Sequence, residues 1–72
     1  MPLLYAQIVP LGAPIDREMT YSVPDDLRET LQLGSRVLIP FGVRWLTGIV
    51  VGQSNTIDFA PDRVKAIGQI LD

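Results

Sequence analysis

Residues 36–50, RVLIPFGVRWLTGIV, contain two apolar, β-branched runs on either side of Pro40-Phe41-Gly42. Each run has the composition of a β-strand. A tight hairpin between two strands is served best by Asn-Gly or Gly-Gly. Proline cannot donate a ladder hydrogen bond, so we expect it to end the first strand. The stretch therefore predicts a strand, a corner with open backbone at Gly42, and a second strand.

Short apolar runs bounded by proline, glycine and polar residues recur along the rest of the chain, and polar loops are expected at 10–18 and 54–62. The predicted strands are 3–9, 19–23, 35–41, 45–53 and 63–71. Asp25 is expected to cap one helical turn before the third strand, and Gly48 is expected to mark a bend or bulge. The chain lacks strand–helix–strand alternation. We therefore predict one all-β domain over residues 1–72, a small five-stranded antiparallel barrel of the SH3 or OB kind with one short helical turn.

The composition argues against catalysis by this chain. It has 72 residues with no cysteine and no histidine, which excludes thiolate metal sites and removes the usual general base. The carboxylates Asp25, Asp26 and Glu29 surround the predicted helical turn, where capping and solvation explain them. No apolar run approaches the length of about 18 residues that a membrane span needs. The expected protein is a soluble, cytoplasmic binding module rather than an enzyme.

The charge is unevenly distributed along the chain. The net charge is −2, which argues against a strong sequence-independent DNA binder. Residues 1–33 carry a net charge of −3, whereas residues 34–71 carry +2 and include the corner at Gly42. A small polar site near that corner is therefore expected, rather than a broad basic groove.

Four residues remain as binding candidates. Phe41 is either a core residue at a strand end or the wall of a small pocket that stacks on a planar ligand. Gly42 either supplies a positive φ angle or lets a ligand approach the backbone. Lys65 is either a solvated edge residue or the holder of one phosphate. Tyr21 is expected in the core with its hydroxyl bonded locally.

Four segments together carry a resemblance to a known family. They are MTYSVPDDL (19–27), LGSRVLIPFG (33–42), GIVVG (48–52) and VKAIGQILD (64–72). In order and spacing they resemble the N-terminal, 3′ DNA-end-binding domain of the primosomal protein N′ (PriA) family of replication-restart helicases. The resemblance covers nearly the whole chain.

The resemblance implies a function that spacing alone does not. In that family the domain recognises the 3′-terminal nucleotide of the nascent leading strand at stalled, branched forks, with little base preference. The chain would be the barrel part of that domain, cut from a longer bacterial, cytoplasmic and nucleoid-associated protein. The longer protein is an ATP-dependent 3′–5′ DNA helicase, so ATP, magnesium and zinc are expected only in its other domains and no cofactor in this chain. The implied partner of this domain is DNA with a free 3′ end. The full-length protein would also contact primosome proteins and single-stranded DNA-binding protein. No membrane partner is implied.

The family's pocket maps onto specific positions of this chain. The residues implied for 3′-end binding are Met19, Thr20, Tyr21, Gly42 and Lys65, with Phe41 in support. Met19 and Thr20 depart from the family's aromatic and acidic residues. A thioether can still pack against a base edge, and a hydroxyl can donate or accept a hydrogen bond without the charge of an acid.

Two other functions stay open from the residues. Small barrels often dock peptides through aromatic-lined grooves, and Phe41 and Trp45 would then be the exposed anchors. Alternatively, the barrel only packs against the motor domain of its parent protein. Binding of DNA ends would distinguish DNA-end recognition from both of these alternatives.

Overall fold

The structure is a computed structural model that describes residues 4–12, 17–57 and 64–71. The elements are β1 (Tyr5–Pro10), β2 (Met19–Ser22), a 3₁₀ helical turn (Asp25–Leu27), β3 (Arg36–Phe41), β4 (Arg44–Ser54) and β5 (Gln69–Ile70). The strands form one antiparallel sheet in the order β2-β1-β4-β3-β5. The predicted all-β class with five strands and one helical turn is confirmed. Within the described ranges, no helix is long and apolar enough to cross a membrane.

Parts of both predicted loops lie outside the described residues. These parts are positions 13–16 of the first loop and 58–62 of the second, together with Arg63 at the predicted start of the last strand.

Alternation of side chains along the strands builds the core. In β3, Val37 and Ile39 are fully buried, whereas Arg36, on the opposite face of the strand, is exposed. Ile8 from β1 and Ile67 from the segment before β5 meet them in the same cluster. Burying a side chain of this size contributes about 1.5–3 kcal/mol, so a few such residues dominate the stability of so small a domain.

The sheet closes through the segment that precedes β5. The Ser22 N–H donates to the carbonyl of Lys65 at 2.9 Å, and the Ile67 N–H donates to the carbonyl of Ser22 at 3.0 Å. These bonds form a parallel bridge between Ser22 and Ala66. Because β2 and β5 are the two ends of the sheet order, this bridge joins its edges and curls the sheet into a barrel.

The long last strand predicted over 63–71 is wrong for most of its length. Only Gln69–Ile70 pairs with β3, opposite Val37 and Leu38. The segment changes neighbour between Ile67, which bonds to β2, and the next residue, whose N–H donates to β3. Because this segment crosses from β2 to β3, it cannot stay paired with either strand along its whole length.

The corner predicted at Pro40-Phe41-Gly42 is a two-residue hairpin instead. Phe41 pairs with Arg44 and Pro40 pairs with Trp45, so Pro40 lies within β3 and does not end it. Gly42 has a φ of 61°, the positive value that a type II′ turn needs at its first loop position. Proline is tolerated because β5 does not extend this far, which leaves β3 as an edge on that side.

The predicted Asp25 cap is also wrong. Pro24 occupies the N-cap position of the 3₁₀ turn, and no side chain caps it. The Asp25 carboxylate instead lies 3.2 Å from Nε of Arg28, one turn later. The fixed φ of Pro24, −59°, sets the entry into the turn without a capping side chain.

The predicted irregularity of β4 lies at a different residue. The β1–β4 register shifts between Gln7, which faces Gly52, and Ile8, which faces Val50. Val51 is therefore the bulged residue, and Gly48 keeps regular pairing with Val37 and Pro10. Gly48 is needed for another reason: a Cβ there would collide with Cγ2 of Ile8 in the core.

We predict that Gly48→Ala lowers the free energy of unfolding by about 1–3 kcal/mol, because the added methyl overpacks the core. The new Cβ would also lie 3.3 Å from the Val9 carbonyl and 3.4 Å from Cδ1 of Ile39. Urea denaturation measures the change. Gly52→Ala is the matched control on the same strand, since the three atoms nearest to its Cβ all belong to the Gln7 side chain, whose amide end can move. Equal losses in both variants would contradict the packing explanation.

Candidate nucleic-acid site

A cavity of about 230 Å³ opens between β2, the β3–β4 turn and the segment before β5. Its lining residues are Met19, Thr20, Tyr21, Pro40, Phe41, Gly42 and Lys65. The fold thus brings all the site residues named from the sequence, and the supporting Phe41, around one space. Pro40 is the lining residue that sequence reasoning missed, because it was assigned only to ending a strand.

Tyr21 fixes one wall of the cavity. Its side chain is 3% exposed, and its hydroxyl donates a hydrogen bond of 2.8 Å to the carbonyl of Pro40. The expectation of a core tyrosine is confirmed, but its hydroxyl bonds to a residue 19 positions further along the chain rather than locally, and the residue also lines the cavity. The bond joins β2 to β3, two strands that are not neighbours in the sheet.

The carbonyl groups of alternate β3 residues point toward the edge of β3 that faces β5. The carbonyls of Arg36 and Leu38 accept from the N–H groups of Leu71 and Gly68, at 2.8 and 2.9 Å. The carbonyl of Pro40 is the next on this edge, because successive groups alternate sides along a strand. The Tyr21 hydroxyl is its donor, at the point where β5 has ended.

Burial raises the pKa of the Tyr21 phenol above its ordinary value of 10.0. A buried phenolate would lose hydration, so the neutral form that donates to Pro40 is favoured. The tyrosine therefore acts as a fixed hydrogen-bond donor in the wall rather than as an acid at neutral pH.

Phe41 and Gly42 form the hairpin side of the cavity. Phe41 is half-buried and lies outside the cluster of fully buried residues, so it is a wall of the cavity rather than a plug of the core. Gly42 is exposed, and a Cβ there would meet nothing within 4 Å. Its positive φ and its open backbone are both present, so a ligand can approach the main chain here.

Lys65 lies on the third side. Its carbonyl accepts the Ser22 N–H, which holds the residue beside the end of β2. Its side chain is exposed, and no carboxylate in the described part of the chain forms an ion pair with it. Among the described residues it is the single charged member of the lining, so this part of the cavity favours a ligand with a negative charge at its mouth.

Met19 and Thr20 complete the lining from β2. Both are half-buried, and they pair with Ile8 and Gln7 of β1. Met19 packs against the core, whereas Thr20 brings a neutral hydroxyl to the cavity. In the described part of the chain, the lining therefore combines apolar surface, the Thr20 hydroxyl, open backbone and one cation, without a carboxylate.

This fold is a small all-β domain with a ligand-sized cavity among its described residues, whose lining combines apolar surface, open backbone and a cation. Comparison with known proteins gives its family. Residues 8–72 match the 3′ DNA-binding domain (3′BD) family of PriA. The chain belongs to this family of DNA-binding domains, and the resemblance seen in the sequence is confirmed.

Two relatives show how much of a longer protein the chain represents. It is 44% identical over 64 residues to the replication restart protein PriA of Haemophilus influenzae, covering 89% of this chain and 8% of that protein. It is 36% identical over 58 residues to the replication restart protein PriA of Bacillus subtilis, covering 81% of this chain and 7% of that protein. The chain therefore spans less than a tenth of the length of these relatives.

We predict that Tyr21→Phe lowers the free energy of unfolding by about 0.5–1.5 kcal/mol at neutral pH, because the Pro40 carbonyl loses its donor. The raised pKa adds a pH signature. The contribution of the phenol is fully present below the unfolded pKa of about 10, and it is lost as pH rises through the higher folded value.

Urea denaturation at neutral and alkaline pH measures both effects. Tyr21→Phe should lose less stability at alkaline pH than the wild type, since it has no phenol to ionise. Tyr5→Phe, at another buried tyrosine, is the matched control and should keep the contribution of Tyr21. An unchanged alkaline loss in Tyr21→Phe would rule out this assignment.

Proposed function

We propose that the cavity receives the 3′-terminal nucleotide of a DNA strand with a free 3′ hydroxyl. The observation that carries the proposal is the convergence of β2, the hairpin at Gly42 and Lys65 on one cavity in a chain of the 3′ DNA-binding domain family. The strand it serves is the nascent leading strand at a stalled, branched replication fork.

The size of the cavity supports an end rather than a continuous strand as its occupant. At about 230 Å³ it is smaller than the pockets that bury a whole drug-sized molecule, which measure about 300–1,000 Å³. A base or sugar at a strand terminus matches this volume. The hydrogen bond between Tyr21 and Pro40 ties two lining residues together, so the strand has no exit between them.

The lining chemistry suits a nucleotide without selecting its base. Met19 and Phe41 offer apolar surface, and contacts of that kind accept any base because every base has a flat π face. Thr20 can exchange hydrogen bonds with the terminal sugar in place of a carboxylate. The open backbone at Gly42 admits the sugar, and Lys65 can hold the preceding phosphate.

The low charge of the domain fits this mode of recognition. Nonspecific DNA binding grows with the number of phosphates that a protein neutralises. A chain with a net charge of −2, and with one cation among the described residues of its cavity, is expected to make few such contacts. Binding energy must then come from the terminal nucleotide itself.

The wider role is part of the proposal, which the family match and the longer relatives support. The chain is the barrel part of an N-terminal end-binding domain in a replication-restart, primosome-assembling helicase. The ATP-dependent 3′–5′ motor, with magnesium and zinc, belongs to the remaining length. Contacts with primosome proteins and single-stranded DNA-binding protein belong there as well, in the bacterial cytoplasm and at the nucleoid.

We predict that short single strands ending in a 3′ hydroxyl bind about tenfold more tightly than identical strands ending in a 3′ phosphate, a difference of about 1.4 kcal/mol. A terminal phosphate adds bulk at the closed end of the cavity. Fluorescence anisotropy with a dye on the 5′ end measures both affinities under one salt concentration. Equal affinity for the two ends would refute the proposed function.

We also predict that Lys65→Ala weakens binding by about five- to tenfold, because a charge-assisted contact to phosphate is lost. The slope of log affinity against log salt should become shallower by about 0.7, the value for one phosphate on a single strand. The urea midpoint should not change, since the side chain is exposed.

Arg36→Ala is the matched control for the loss of one charge. Arg36 is exposed and lies at the end of β3 opposite the cavity. Affinity should be nearly retained in this variant. Equal weakening in both variants would show that only total charge matters, and a large drop in stability for Lys65→Ala would assign that residue a structural role.

A further inference from the structure

Trp45 is an exposed aromatic beside the cavity. It is the single tryptophan of the chain, and its side chain is 58% exposed. It alternates with the buried positions of β4 and so lies on the outer face of the sheet. Its register partner is Pro40, which lines the cavity, and directly opposed residues place their side chains on the same face.

The indole ring reaches across β3 to the segment that carries Lys65. A Cβ on Gly68 would lie 2.6 Å from Cζ3 and 3.1 Å from Cη2 of Trp45. The ring therefore lies against the bare backbone of Gly68, while more than half of the side chain stays exposed to solvent. It crosses the outer face of β3 toward the last segment.

One cation lies on the segment that the ring contacts. Lys65 is three residues before Gly68 on this segment, and its side chain is exposed. An exposed aromatic surface near a cation suits a nucleobase with its phosphate beside it. Pro40, the register partner of Trp45, and Lys65 both belong to the cavity lining.

We propose that Trp45 stacks on the base of the penultimate nucleotide of the strand whose terminal nucleotide occupies the cavity. This inference rests on the proposed function, since the cavity must hold the strand end. A strand that enters a closed cavity has to leave over its rim. Lys65 binds the phosphate between the last two nucleotides, and the indole beyond it receives the next base.

The single tryptophan makes stacking directly observable. Intrinsic fluorescence of the 72-residue chain is followed while a short strand with a 3′ hydroxyl is added, and anisotropy gives the affinity. We expect the intact strand to quench Trp45. A strand with an abasic penultimate nucleotide should bind about tenfold more weakly and leave the emission nearly unchanged. An abasic site several nucleotides from the end is the control and should behave as the intact strand.

Variants of the protein supply the reciprocal test. Trp45→Ala should bind the intact strand about tenfold more weakly but bind the penultimate-abasic strand as the wild type does. Trp45→Phe should retain most of the affinity. Gly68→Ala should displace the ring and give an intermediate loss. Leu33→Ala, at another exposed apolar residue, should bind normally.

The outcomes separate this inference from the proposed function. Preference for a 3′ hydroxyl without any dependence on the penultimate base would overturn the role of Trp45 and leave the cavity assignment intact. Absence of binding to any strand would overturn both. Quenching of Trp45 by peptides but not by DNA would overturn the inference and make the ring a protein-docking anchor.

Discussion

The hydrogen bond from the Tyr21 hydroxyl to the Pro40 carbonyl is the contact on which the cavity depends. It joins β2 and β3, which lie at separate places in the sheet order and share no backbone pairing. Backbone N–H groups satisfy the carbonyls of β3 only as far as β5 extends. At Pro40 the barrel closes through a side chain instead of a strand. A side-chain closure leaves a gap between the two strands, and this gap is the cavity.

The second closure, between Ser22 and residues 65–67, places the charge of the site. A 72-residue chain buries a modest share of its surface, so each closing contact is a large part of its stability. Here the closing contacts and the candidate site are made by the same residues. The Tyr21 hydroxyl closes the barrel by donating to the Pro40 carbonyl. The Lys65 carbonyl closes it by accepting the Ser22 N–H, which leaves the Lys65 side chain available to contact a ligand. Ligand binding at this cavity would therefore stabilise the closed barrel directly.

The local sequence pattern predicted the features that depend only on residues close together in the chain. The alternation of Val37 and Ile39 with Arg36 was sufficient to place β3 and its buried face. The family resemblance, rather than any local pattern, predicted that the site residues lie together. The errors concern features that depend on distant partners. Whether Pro40 can sit inside a strand depends on where β5 ends, and the length of β5 depends on the crossing from Ser22 to β3. No local signal in the sequence contains either fact.

The proposed recognition of a DNA end would set a physical requirement that the low net charge of this domain meets. Phosphates repeat along the whole strand, so a site that gains most of its affinity from them binds anywhere. An end differs from the interior only by its terminal group. A chain with a net charge of −2 gains little from the repeating backbone. Under the proposed function, Lys65, the one cation among the described lining residues, and the apolar wall around it favour one nucleotide at the strand end. Under the proposed function, the acidity of the domain is therefore part of its specificity, because it weakens the competing interior sites more than the end.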